Sequence, residues 1–294
     1  MRYLPILFPL VVFFLAAPLA GAGEEPPPAQ DIRLVEKQFS ELSNQDAGSL
    51  GSKALGTLPA KWKHAETEHF IFHYRRITET QKVVREIEFN LWFVARALGA
   101  ARERYAKKSH VYVFKDEREW KQFRLDTLLP DWSASFASGD ELFLHVGGAG
   151  EGFDSHLLAH ETTHAVVARL YPGQRWPKWL SEGFAEYMGS ASEAARKSLW
   201  TKGLQQLLDG ATLPLAQLVA TKDYPTDRAD VRSFYQSSEK LIRLLMNDFP
   251  KDRFPRFVEA ILGGAPFEKA ILQVYGDQVK DFPAFNKRYE RFSK

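Results

Sequence analysis

The sequence predicts an α+β fold: a small mixed sheet with helices, then a mostly helical half, with a cleft between them. Three observations carry this prediction. Short β-branched and aromatic runs alternate with helical ones between about residues 61 and 146. From Ser155 onward the apolar spacing is helical almost throughout, and no solenoid-type repeat runs through the chain. The 294 residues, 45% hydrophobic and 26% charged, have an ordinary globular composition, enough for one large domain or two modest ones.

Taken in order, residues 1–22 read as a signal peptide: Arg2 leads an apolar segment, and Ala20-Gly21-Ala22 is a small-residue cleavage site before Gly23. The alternative is an uncleaved membrane anchor, against which Pro5, Pro9 and Pro18 interrupt a spanning helix. The mature protein is then exported, to a periplasm or beyond the cell, with no stable membrane insertion. Residues 23–60 read as a spacer. "GEEPPPAQ" is extended, "DIRLVEKQFSELSN" places Ile32, Val35, Phe39 and Leu42 at helical spacing, and "NQDAGSLGSKALG" is loop-like. The main domain is expected over 61–294.

Within it, "EHFIFHYR" is a strand, and residues 78–98 are a long helix with Val83, Ile87, Leu91 and Val94 on one face. Residues 110–116 are a second strand, followed by a polar helical stretch to about Phe123. "ASFASGDELFLHVGGAG" is a turn into a strand at 141–146, ending in a glycine-rich loop. The helical half is broken at "YPGQRWP", "LDGATLP" and "KDYPTD".

Composition excludes several functions. Without cysteine there is no disulfide scaffold, no thiol nucleophile and no thiolate metal site, so a metal would need histidine, carboxylate or backbone oxygen. A net charge of +2 with no long basic run gives no sign of a nucleic-acid partner.

The chemistry concentrates in "LLAHETTHAVV", residues 157–167. His160 and His164 are four apart on a helix expected over 155–170, so their imidazoles lie on one face and can converge on one zinc. Glu161 is turned slightly aside, placed to take a proton from a water at the metal without being a ligand. Such a motif arises by chance in roughly 1 to 2 chains per hundred of this composition, so a third ligand is the test. An amphipathic helix with a polar stripe of His156, His160, Glu161 and His164 is the plainer reading, but the surrounding Leu and Val residues would leave buried imidazoles in need of partners. The segment "WPKWLSEGFAEYMGS" follows a short break and can fold back as a helical hairpin. That brings Glu182 to the metal as third ligand and leaves one position open. Glu186, one turn on, can accept a proton from the far ring nitrogen of a metal-bound histidine. His156 is expected at the helix N-terminus or lining the cleft, and His145 in a structural or solvent-facing place.

"HETTH", seventeen residues between His164 and Glu182, and "WLSEGFAEY" together resemble the gluzincin metallopeptidases, which include thermolysin and the zinc aminopeptidases. "SFYQSSEKLIRLL" is similar to their helix carrying a transition-state tyrosine, which falls on Tyr235. The closing "FEKAILQVYGDQVKDFPAFNKRYERF" resembles the last helices of peptidase-MA-like domains of exported bacterial proteins. The resemblance covers about residues 61–294. It implies a zincin, thermolysin-like catalytic domain, one Zn2+ on His160, His164 and Glu182, Glu161 as general base, Tyr235 as oxyanion donor, and a peptide or protein substrate. It also implies that "DELFLHV" is the edge strand that pairs with extended substrate. One departure stands out: the Gly-x-Met-Glu-Asn segment by which zinc aminopeptidases grip a free amine is missing. "GDELFLHVGGAGEG" offers Glu141 and Glu151 in a different arrangement, which favours an endopeptidase. The rival readings are a gluzincin-fold binding or scaffold protein without turnover, and a zinc hydrolase acting on a non-protein amide.

Overall fold

A computed structural model describes residues 32–57, 61–128, 135–147, 154–200 and 211–292. The expected leader at 1–22 and most of the glycine-rich loop after residue 146, with Glu151, lie outside the described residues. The described part is α+β, and its strands form one six-stranded mixed sheet. The strands are β1 (Val35–Lys37), β2 (Lys63–Glu66), β3 (Phe70–Tyr74), β4 (Ser109–Phe114), β5 (Ser135–Ser138) and β6 (Glu141–His145), in spatial order β1-β2-β3-β4-β6-β5. The central strands β3, β4 and β6 run parallel, while β1, β2 and β5 pair antiparallel to their neighbours.

Strands β3 and β4 are buried along their whole length and β6 at all but its last residue, so their sequences are apolar runs rather than clean alternations. Alternate side chains still serve two different cores. Phe70, Phe72, Val111, Val113, Leu142 and Leu144 pack with α2 (Ile77–Ala97), α4 (Ser155–Leu170) and the rest of the helical half. Tyr112, Phe114 and Phe143 face the other way, where Trp62, α1 (Ser49–Gly56) and α3 (Glu117–Asp126) cover them. On that second face a row of imidazoles crosses three strands. His64 Nδ1 lies 2.8 Å from His73 Nδ1, and His73 Nε2 lies 2.8 Å from His110 Nδ1. His73 is fully buried, nearly coplanar with His110 and stacked on Tyr112, and Phe39 packs over His64 and His73.

The helical half continues with α5 (Lys178–Trp200), α6 (Leu215–Ala220), α7 (Arg228–Asn247), α8 (Arg253–Leu262), α9 (Phe267–Tyr275) and α10 (Phe282–Arg291). Asp154 caps α4 by accepting from the His156 and Leu157 amides, which fixes the start of the helix carrying the histidines. The chain leaves α4 through Gly173, whose φ of +74° suits the left-handed turn, and re-enters helix at Lys178. Helices α5 and α7 then approach so closely that a Cβ on Gly183 would sit 2.5 Å from the carbonyl oxygen of Ser238. That approach places α7 beside the ligand-bearing helices. No described helix is long and apolar enough to cross a membrane.

Four expectations are corrected. Val35 does not lie on a helix: residues 35–37 form β1, pairing Val35, Glu36 and Lys37 with Glu66, Ala65 and His64, and only a single 3-10 turn follows at Phe39–Glu41. Four apolar residues at helical spacing are too few to outweigh sheet pairing, which is reinforced by Lys37 on Glu66 and the Tyr74 hydroxyl on Glu36. The "loop" at 44–56 contains α1. Its small residues are there because the helix lies close on the sheet: a Cβ at Gly51 would overlap the Tyr112 hydroxyl, and Ala54 is fully buried. Residues 32–57 are therefore built into the sheet and its cover, rather than forming a spacer before residue 61. Finally, β6 is interior. On that side the edge strand among the described residues is β5, which the sequence shows only as part of a turn; Gly139, at φ +58°, makes the tight connection between β5 and β6.

Candidate metal centre

Helix α4 is buried on most sides, and the two threonines of its motif are satisfied within the helix. Thr162 and Thr163, between the two histidines, are fully buried and return their hydroxyls to the Leu158 and Ala159 carbonyls, 2.7 and 2.8 Å away. This leaves the opposite face to His160 and His164. Their Nε2 atoms lie 3.1 Å apart, and Glu182 Oε2, reaching across from α5, lies 3.4 Å from each. His160 and Glu182 are only 7% and 4% exposed. The hairpin of α4 and α5 thus brings the three sequence-predicted ligands onto one point, and among the described residues they form the only group of three or more His, Cys, Asp or Glu with metal-binding spacing.

The remaining ring nitrogens are held as metal ligation requires. His160 Nδ1 lies 3.2 Å from Glu186 Oε1, and His164 Nδ1 lies 3.2 Å from Ser181 Oγ. A hydrogen on each Nδ1 leaves both Nε2 lone pairs facing the same centre. Two imidazole lone pairs and a carboxylate oxygen at this separation repel unless a cation sits among them. Burial alone would lower the His160 pKa, but hydrogen bonds to Glu182 and Glu186, and the charge of Glu186, outweigh it and carry it up to about 10. Burial also acts to raise the pKa of Glu182, yet the two histidines pull it well below the carboxylate range. Without an ion, then, the group keeps a proton on imidazole. A tetrahedral metal with bonds of 2.0–2.1 Å separates its ligands by about 3.3 Å, which matches the observed spacing. The buried His-His-Glu group can therefore hold a metal ion.

Glu161 stands apart from the three ligands. Its Oε2 accepts a hydrogen bond of 3.0 Å from the Ala137 amide on β5, so the carboxylate is turned toward the sheet edge. Burial raises its pKa, opposed by the charges of His160 and His164. Tyr235, on α7, lies with its ring 6.4 Å from that of His160, its pKa raised by burial and then by Glu182. Glu186 makes a second contact that sequence reasoning missed: its Oε2 lies 3.4 Å from His156 Nε2, so His156 backs the cluster from one turn earlier. His145 is remote from this group, stacked on Trp120 and 3.4 Å from Glu117.

Two further residues carried no signal in the sequence. Ser181 precedes the ligand Glu182 and gains its role only because α5 folds back antiparallel on α4. Tyr224 lies in the loop between α6 and α7, and its hydroxyl donates to Glu182 Oε1. Compared with known proteins, the chain matches no protein-family model and no curated sequence.

Proposed function

We propose that the protein is an exported, zinc-dependent peptidase of the gluzincin type, cutting within peptide chains. The observation that carries the reading is the meeting of His160 Nε2, His164 Nε2 and Glu182 Oε2 at 3.1 to 3.4 Å, with Glu161 beside them but turned to the edge strand. Zinc suits two imidazoles and one carboxylate, and when bound it would supply Lewis-acid polarisation of a carbonyl and of a water. A sheet whose edge strand β5 runs beside the ligand helix, backed by a helical half, supports a zincin-type arrangement.

The residues divide the work as follows. Glu161, its pKa raised by burial, accepts the proton of the attacking water and returns it to the leaving amine. Tyr235 keeps its phenolic proton, since burial and the nearby carboxylates raise its pKa, and donates it as a hydrogen bond to the oxyanion that develops on the carbonyl. Glu186 and Ser181 keep the two imidazoles oriented. Among the described residues no strand pairs with the outer side of β5, and apart from the Ala137 amide, which Glu161 takes, that side offers backbone groups to an extended substrate. The endopeptidase preference has structural support as well. Glu141 cannot grip a substrate amine, because it is buried and already accepts from the Gly48 amide and the Tyr112 hydroxyl, at 2.9 and 3.0 Å.

The test is digestion of a mixed peptide library by the purified protein loaded with zinc, read by mass spectrometry, with Glu161→Gln alongside. Internal cuts by the wild type, reduced on the order of 100- to 10,000-fold in the variant although zinc remains bound, are expected. Zinc binding with no cleavage by either protein would sink the peptidase reading and direct attention to non-protein amides or to a binding role.

A further inference from the structure

The Glu182 carboxylate has two oxygens with different partners. Oε2 faces both imidazoles at 3.4 Å, whereas Oε1 accepts a hydrogen bond from the Tyr224 hydroxyl. A carboxylate engaging an ion through both oxygens would use up the fourth position that a catalytic site keeps open. A donor fixed on the outer oxygen prevents this, because turning Oε1 toward the ion would break that hydrogen bond. Nearly buried as it is, Glu182 has no bulk water to replace it.

The donor is held by several independent contacts, although Tyr224 is 44% exposed and lies on a loop. Lys178, the first residue of α5, places Nζ 4.0 Å from the centre of the Tyr224 ring. The ring stacks parallel to Tyr235, with centroids 6.5 Å apart and planes 11° apart, and meets Phe234 edge-on. Pro225 restricts the Tyr224 backbone to extended conformations, and Asp227 ends the loop by capping α7 through the Ala229 amide at 2.7 Å. An exposed loop residue anchored on both sides, with its hydroxyl on a metal-ligand carboxylate, is a built feature of the site.

We propose that Tyr224 is a positioning residue for the metal: by holding the outer oxygen of Glu182 it keeps that ligand to one inward oxygen, and so sets both the affinity and the coordination number of the ion. The inference rests on His160, His164 and Glu182 being a metal site. It assigns Tyr224 a role separate from that of Tyr235, whose ring it abuts.

The experiment compares wild type with Tyr224→Phe, a change that keeps the ring and its contact with Lys178 and leaves nothing buried unpaired except Glu182 Oε1. Zinc affinity is measured by competition with a chromophoric chelator, and the visible spectrum is recorded with cobalt(II) in place of zinc. The expected result is zinc binding weaker by about 10- to 100-fold, together with a change from the intense bands of four-coordinate cobalt to the weaker bands of a higher coordination number. A merely structural role for Tyr224 would leave the cobalt bands unchanged. Equal zinc affinity and an identical cobalt spectrum in the two proteins overturn the inference while leaving the metal site standing. Failure of the wild type to bind either ion overturns the metal site and the inference together.

Discussion

Acidification should destabilise this protein through the imidazole row beneath α1, and the size of the effect can be worked out. His110 is 2% exposed, and burial brings its pKa down to about 4, with Asp140 pulling the other way. His73 is lowered well below its ordinary value, first by burial and then by the charges of His110 and His64. An imidazole depressed in the folded state contributes nothing adverse above the unfolded pKa of about 6.5, and its penalty grows as pH falls from there toward the folded pKa. For His110 alone, going from pH 7 to pH 5 removes about 2 kcal/mol, because the unfolded chain is then almost fully protonated at this position and the folded one hardly at all. His73, lowered in the folded state as well, acts in the same direction. His64, lowered by its burial, slopes the same way and is common to both proteins compared below, whereas the following groups do not mimic this slope. The raised pKa of His160 in the metal-free protein makes its contribution complete below 6.5, and Glu66, lowered to about 2 by Lys108, Ser43 and Lys37 against the effect of its burial, loses its contribution only below about 4.5. Glu141 and Glu161, both raised by burial, act with the opposite sign as pH falls. The decisive comparison is therefore with His110→Phe, which keeps an aromatic ring at this position and removes one titrating group; it also removes the hydrogen bond to His73, a loss that shifts stability at both pH values, so the change between the two is what is read. Urea denaturation of the metal-free proteins at pH 7 and pH 5, followed by far-UV circular dichroism, should show the variant losing about 2 kcal/mol less than the wild type. The same loss in both proteins would show that His110 is not held neutral in the native state, and would refute the reasoning.

Two further outcomes follow from packing and from the site. Gly183→Ala would drive a methyl group to within 2.5 Å of the Ser238 carbonyl, forcing α5 from α7, and a loss of about 1–3 kcal/mol is expected in the same denaturation assay; an unchanged midpoint would mean that the helices are not in close contact. Tyr235→Phe should retain wild-type zinc affinity yet slow peptide cleavage on the order of 100- to 1000-fold, and undiminished turnover would remove this tyrosine from the oxyanion role.

The histidine pair was legible because its geometry is local. Two residues four apart on one helix share a face whatever surrounds that helix, and Asp154 marks where the helix starts. Glu182 and Glu186 were legible almost as directly, since a short break between two helical segments leaves little choice but a hairpin. The fold class and the central strands could be read for a similar reason: strands buried on both faces show as apolar runs whatever their partners. The short outer strands could not. With only three and four residues, β1 and β5 have no period to display, and their existence depends on partners elsewhere in the chain. Gly51 and Ala54 misled in another way, because residues that let a helix press against a sheet have the composition of a loop.

The sequence by itself determined the chemical inventory: no thiol, two imidazoles at helical spacing, a carboxylate one hairpin away, and an α+β pattern to carry them. Tertiary structure alone decided which oxygen of Glu182 faces inward, that Tyr224 holds the other one from 42 positions away, and that Ala137 rather than a residue of β6 borders Glu161. It also decided that His64, His73 and His110, scattered over 46 positions, stand in one row. The physical reason is the same in each case. Helical spacing is a property of the local backbone, whereas strand register and the direction of a loop side chain are set by contacts between segments that have no relation in sequence.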